Sequence, residues 1–208
     1  MRCRRPASAL ALALCASGAL AEDVTPLKQV QTARALFDIG LETADPLYLL
    51  TAARLRKSVD LSPIERAPEG SAAEQGTVLG WQGMLAAARV QIGGDPVLSG
   101  LADDIAAERS KGVSSGPVYS IVTIRPGGTD TYPQLPFSGG DYAEIYVEGA
   151  SGTDLNVMVR DDKGRLVCSD TDISAIAYCG WRPATDGRFT IVVENQGRRG
   201  GQYSLMTN

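Results

Sequence analysis

Leu155-Asn156-Val157-Met158-Val159-Arg160-Asp161-Asp162-Lys163-Gly164-Arg165-Leu166-Val167-Cys168 is the stretch that decides the class of this chain. Leu155, Val157 and Val159 recur at every second position, the period of a strand with one buried face. Asp162-Lys163-Gly164 then supplies the residue types of a tight turn, and residues 166–168 begin a second strand. The same signal repeats on both sides. Strands are expected over 118–124, 142–148, 155–160, 166–168, 175–179, 188–195 and 202–207, with Phe189, Ile191 and Val193 sharing a face. Gly127-Gly128, Gly139-Gly140, Asp186-Gly187 and Arg199-Gly200-Gly201 form the connections. Seven or eight short strands with no helices between them predict an all-β antiparallel sandwich or jelly roll over residues 118–208.

Upstream the period changes. Between Glu22 and Lys111 the apolar spacing is helical, and Thr25-Pro26, Asp45-Pro46, Ser62-Pro63 and Asp95-Pro96 each put a capping side chain before a proline suited to the first helical turn. Helices are expected over 26–42, with Val30, Ala33, Phe37 and Leu41 on one face, and over 46–59, with Tyr48, Ala52, Leu55 and Val59. A second pair is expected over 77–91 and 96–109, joined by Gly93-Gly94, with a polar loop at 62–76 between the pairs. Asp45-Pro46-Leu47 with Ala52 and Leu55 recurs as Asp95-Pro96-Val97 with Ala102 and Ile105, a period of fifty. That repetition fits either a tetratricopeptide-like groove for a peptide or a plain helical bundle that reuses one cap, and two units favour the bundle. The fold class is therefore all-α helical hairpins at 22–111 followed, across a Gly/Ser linker at 112–117, by the all-β sandwich.

The compartment is read from the first residues. Arg2, Arg4 and Arg5 make a basic start, residues 7–16 are apolar, and Ala19-Leu20-Ala21 is a small-x-small cleavage site before Glu22, the pattern of a secretory signal peptide at 1–21. Cys15 follows Leu14 rather than a small residue, so it is treated as part of the leader and not as a lipidation site. No later stretch reaches the ~20 apolar residues of a transmembrane anchor. The expected location is periplasmic or secreted.

Loss of residues 1–21 removes three arginines and no acids, which leaves 17 basic and 24 acidic side chains and moves the net charge from −4 to −7. An acidic surface without a basic patch argues against nucleic acid as a partner. Histidine is absent, which removes Ser-His-Asp and Cys-His triads and His-ligated zinc. Cys168 and Cys179 enclose ten residues in an exported chain and are expected to form a disulfide.

The order Gly152-Thr153-Asp154-Leu155-Asn156-Val157, then Asp161-Asp162-Lys163-Gly164-Arg165-Leu166-Val167, then Asp186-Gly187-Arg188-Phe189-Thr190-Ile191-Val192-Val193-Glu194-Asn195, and last Gly201-Gln202-Tyr203-Ser204-Leu205 resembles the bacterial pre-peptidase C-terminal (PPC) domain family. The resemblance covers about the last ninety residues and nothing before Gly116. It implies a sandwich that trails a secreted hydrolase and serves secretion, targeting or adhesion to a polymer, with calcium bound in some members. The helical residues upstream carry no zinc motif or histidine base, so no protease function comes with it.

Asp154, Asn156, Asp161, Asp162, Asp170 and Asp172 are candidate calcium ligands, set against their ordinary role in β-turns. Apart from calcium no cofactor is expected. Trp181, Tyr142 and Tyr146 are candidate binding aromatics. Trp181 can equally pack on the disulfide, and Trp81 can equally belong to the core. Asp103-Asp104 and Asp161-Asp162 are the paired carboxylates a hydrolase would need. The functional expectation is a non-enzymatic binding or accessory protein of the cell envelope whose partner is an envelope or secreted protein or an extracellular polymer. The alternatives are an accessory or inhibitory subunit of a separately encoded secreted hydrolase, and a carboxylate-only hydrolase.

Overall fold

The computed structural model describes residues 24–109 and 116–208. The expected signal peptide at 1–21 lies outside the described residues, as does most of the expected linker at 112–117. The first described half holds the helices α1 (Pro26–Thr43), α2 (Pro46–Lys57), α3 (Trp81–Ile92) and α4 (Pro96–Ala107), with one short strand between α2 and α3. Asp45 and Asp95 cap α2 and α4 by accepting from the amides of Leu47 and of Val97 and Leu98, which satisfies donors that a helix start otherwise leaves open. The other two Pro-preceding caps are used differently. Thr25 turns its hydroxyl to Glu144 in the sandwich, and Ser62-Pro63 becomes β1 (Ser62–Pro63), paired in parallel with β2 (Val118–Ile124). Gly40 lets α1 and α2 approach closely, since a Cβ there would meet Leu49 Cδ2 at 2.8 Å.

The remaining strands are β3 (Thr129–Phe137), β4 (Ala143–Gly149), β5 (Leu155–Arg160), β6 (Leu166–Asp170), β7 (Ile176–Trp181), β8 (Gly187–Asn195) and β9 (Gly201–Thr207). They form two sheets, ordered β1-β2-β9-β4-β7 and β3-β8-β5-β6. The sheets enclose Val122, Ile145, Val147, Leu155, Val157, Val159, Ile191, Val193 and Leu205. The expected helical hairpins followed by an antiparallel sandwich are present, with one parallel pair at the edge.

Three features depart from the expected pattern. β3 is a strand with Pro133 and Pro136 inside it; it pairs only with β8, at an edge where a missing N–H is tolerated, and slips register between Tyr132 and Leu135. Helix α3 starts at Trp81, so residues 77–80 are not helical. The expected loop at 62–76 is a strap across the open edge of the sandwich: Ile64 and Glu74 donate backbone amides to Tyr119 and Ile121 of β2, and Glu69 donates to Thr131 of β3. From the strap Arg66 reaches Ser120 Oγ, Thr207 Oγ1 and Leu205 O. The opposite edge is closed covalently, because the Cys168–Cys179 disulfide ties β6 of one sheet to β7 of the other.

Helix α1 lies on the outer face of the five-stranded sheet, and α2, α3 and α4 pack behind it around a separate apolar core. Along β4, Ala143, Ile145 and Val147 enter the sandwich while Tyr146 joins Leu27, Val30, Tyr119, Ile121 and Met206 in a separate apolar cluster under α1. A strand that alternates inside and outside positions is thus buried on both faces.

Candidate functional site

Helices and sandwich meet over the second face of β4, and the chemistry there is ionic. Glu148 accepts from Arg34 Nη1 at 3.2 Å and from Arg56 Nη2 at 3.1 Å. Arg34 also donates Nε to both oxygens of Asp38 at 2.9 Å. Arg34 stands on the apolar stripe of α1 between Val30 and Phe37, and Arg56 continues the stripe of α2 through Leu49 and Ala52. Burial works against the Arg34 charge, and Glu148 and Asp38 outweigh it, so its pKa lies above the ordinary value. Arg56 is only 3% exposed, and its Nε and Nη1 have no partner among the described residues. Tyr146 lies fully buried beside this group, and burial followed by the Glu148 charge holds its phenol well above its usual range.

At the outer end of this seam α1 stands off from the sandwich and leaves a cleft of about 460 Å³. Arg34, Asp38, Leu41 and Glu42 form one wall, residues 151–153 after β4 form the floor, and residues 173–175 of the β6–β7 loop form the other wall. A neighbouring hollow of about 420 Å³ shares Arg34, Asp38, Leu41 and Ser151 and runs on toward Phe37 and residues 77–79. Leu41 and Ile173 are the large apolar side chains that line the cleft, set among the charged Arg34, Asp38 and Glu42 and a polar floor of Ser151 and Thr153.

The β6–β7 loop is firmly held. The disulfide closes its base. Asp170 accepts the amides of Asp172 and Tyr178. Ser174 donates its amide to Asp154 Oδ1 and accepts from the amide of Leu155, and Ala175 accepts from Gly149.

A second polar group lies inside the opposite edge. Tyr203 donates to Asp130 Oδ2 at 2.9 Å, which leaves Tyr132 as the donor in the 2.8 Å contact between the two phenols. Burial raises Tyr132 to about 12 and also raises Tyr203 and Asp130. This chain of hydrogen bonds ties β3 of one sheet to β9 of the other at the edge that the strap covers.

The six candidate calcium ligands do not converge. Asp154 precedes β5 and Asp161 follows it, a separation of roughly 20 Å along the strand. Asp161 accepts the amides of Lys163 and Arg165 and pairs with the Arg165 side chain at 2.7 Å, which depresses its pKa. Asp162 is exposed on the same turn. Asp154 and Asp170 spend oxygens on loop amides as described. Asp172 is exposed, and Asn156 on β5 has its Oδ1 buried without a partner. Among the described residues no group of three His, Cys, Asp or Glu side chains is placed to hold a metal ion. Turn closure accounts for Asp154, Asp161 and Asp170.

The aromatic candidates are also redistributed. Trp181, 8% exposed, packs edge-on against Phe137 at 4.9 Å and near Phe189 at 5.3 Å, inside the sandwich. Tyr146 is core, so neither presents a binding surface. Tyr142 is half-buried, with the Arg182 guanidinium 5.9 Å from its ring centre. Trp81 seats the ammonium of Lys57 at 4.2 Å, while Lys57 also caps the carbonyls of Ile105 and Ala106 at the end of α4. Of the paired carboxylates, Asp103 is engaged by Arg89 at 2.7 Å on an exposed face. Arg34, Arg56, Glu148 and Ile173 were not singled out from the sequence. An arginine in each apolar helix stripe and an isoleucine inside the polar run Asp170-Thr171-Asp172-Ile173-Ser174 were the available signals.

Fold and site together define a disulfide-stapled β-sandwich with a helical layer fused to one sheet. No family model and no curated protein matches the chain. Among solved structures, the pre-peptidase C-terminal domain of a collagenase from Bacillus anthracis is similar over 42% of this chain and 87% of its own, at 15% identity and a TM-score of 0.35. A mitogen from Yersinia pseudotuberculosis is similar over 45% and 85% at 13% identity and 0.33. A periplasmic inhibitor of g-type lysozyme from Aeromonas hydrophila is similar over 49% and 91% at 12% identity and 0.35.

Proposed function

We propose that this chain is an exported, non-enzymatic binding or accessory protein of the bacterial cell envelope, periplasmic or secreted after cleavage near Ala21, that recognises a protein partner at the cleft between α1 and the β6–β7 loop. The observation that carries the reading is the cleft itself. Its two walls come from different layers, and each wall is held rigid, one by the Arg34–Glu148–Arg56 pairs and the other by the disulfide. A disulfide also suits an oxidising compartment. A preorganised concavity of this kind binds without the cost of ordering its own walls.

The test is affinity capture from envelope extract with residues 22–208, in parallel with a Leu41→Arg variant. Leu41 is 47% exposed on the cleft lip, so the substitution spares the fold. A protein retained in stoichiometric amount by the parent chain and lost with Leu41→Arg supports the reading. Equal retention by both moves the site elsewhere, retention of polysaccharide in place of protein makes polymer the partner, and no retention sinks the proposal. If the retained protein is a secreted hydrolase, its activity with and without this chain separates an accessory from an inhibitory role.

A further inference from the structure

Ile173 is 94% exposed, the most exposed large apolar side chain among the described residues. Isolated apolar side chains are common on surfaces and carry no message by themselves. The setting of this one is different. The chain on both sides of it is pinned by the hydrogen bonds of Asp170, Ser174 and Ala175, and the loop is closed at its base by Cys168–Cys179. The side chain is therefore held out in water by the loop's own bonds.

We propose that Ile173 is the anchor of a loop-in-pocket contact: the disulfide-closed β6–β7 loop inserts Ile173 into an apolar pocket, rimmed by cationic side chains, on a partner protein. This rests on the reading of the chain as a binding protein and names the chemistry of its partner. A protruding side chain on a pinned loop selects a concave receptor, and preorganisation lowers the entropy cost of insertion. Energetic anchors of interfaces are apolar groups that fill pockets in this way.

The rim is specified by charge. Asp172 precedes the anchor and is exposed, and Glu42 lies across the cleft from Ile173. Neither carboxylate has an ion-pair partner among the described residues. One free carboxylate next to the apolar tip and another across the cleft from it match arginine or lysine on the receptor and disfavour an acidic one.

The experiment places p-benzoylphenylalanine at position 173 of residues 22–208, with position 90 as control because Val90 is also highly exposed, at 79%, but lies on α3. Irradiation in envelope extract is followed by mass spectrometry of the adducts and by affinity measurement on the protein identified. The expected result is one adduct specific to position 173, a Kd raised roughly 30-fold or more by Ile173→Asp and within about threefold for Ile173→Leu. Asp172→Lys is expected to weaken binding and to flatten its salt dependence. Thermal midpoints of all variants should equal that of the parent, which excludes misfolding as the cause. A partner that crosslinks equally at 173 and 90, or binds Ile173→Asp as tightly as the parent, overturns the anchor while leaving the binding function standing. No adduct at either position, together with no protein retained in the capture experiment, overturns both.

Discussion

At the scale of residues, the most consequential group is Glu148. It is the counter-charge for two arginines, of which Arg56 is almost completely enclosed. A buried pair is weak proof of net stability, but removing one member leaves the other charged and unsolvated. Glu148→Ala is expected to destabilise the protein by about 3 to 5 kcal/mol, read from the shift of the urea midpoint. A loss under about 1 kcal/mol would mean that water reaches Arg56. The phenol of Tyr132 gives a pH signature. Its folded pKa of about 12 lies above its ordinary value of 10.0, so the folded state keeps a proton that the unfolded state releases first. That contribution is complete below pH 10 and is lost as pH rises toward 12. Stability is expected to fall across that window, with a late component in the tyrosine titration near 295 nm. Tyr132→Phe should make the fall shallower, and an unchanged profile would assign the effect elsewhere.

At the scale of elements, the two edges of the sandwich are closed by different means, and they were legible to different degrees. The disulfide could be inferred from two cysteines with ten residues between them in a chain expected to be exported. Its structural consequence is that it joins sheets, since Cys168 lies on β6 and Cys179 on β7. Replacing both cysteines with alanine is expected to cost about 3 kcal/mol, the loop entropy of a ring of this size. Differential scanning calorimetry under oxidising conditions measures this, and an unchanged midpoint would show that the β6–β7 loop is ordered by its hydrogen bonds alone. The strap on the other edge was not legible. Its polar, proline-containing sequence is that of a loop, and only the position of Tyr119, Ile121 and Thr131 beside it makes its amides part of the sheet edges. β3 escaped for a related reason, because Pro133 and Pro136 argue against a strand unless the strand lies at an edge.

At the scale of the whole molecule, helices and sandwich share an interior. Leu27 and Val30 of α1 pack with Tyr119, Ile121, Tyr146 and Met206 of the sheet, and the ion pairs cross the same plane. Unfolding is therefore expected to be one cooperative transition. In a Trp81→Phe variant, Trp181 reports the sandwich and ellipticity at 222 nm reports the helices. Coincident urea midpoints are expected, and separate midpoints would show two units that fold independently. For the same reason residues 116–208 alone should aggregate, since that fragment exposes an apolar sheet face with Glu144 and Glu148 embedded in it.

The amino-acid sequence by itself determined the order of helical hairpins and sandwich, the caps at Asp45 and Asp95, most of the strands and the cysteine pair, because each depends on period or on local backbone chemistry. Only the tertiary structure decided which polar residues are interior. Glu144, Tyr146 and Glu148 alternate with Ala143, Ile145 and Val147 as the wet face of any half-buried strand would. Their burial follows from α1 lying across them, a contact between residues more than a hundred positions apart. The cleft has the same origin. Leu41 and Ile173 become its two lips only when one layer is laid against the other, and no local pattern encodes that placement.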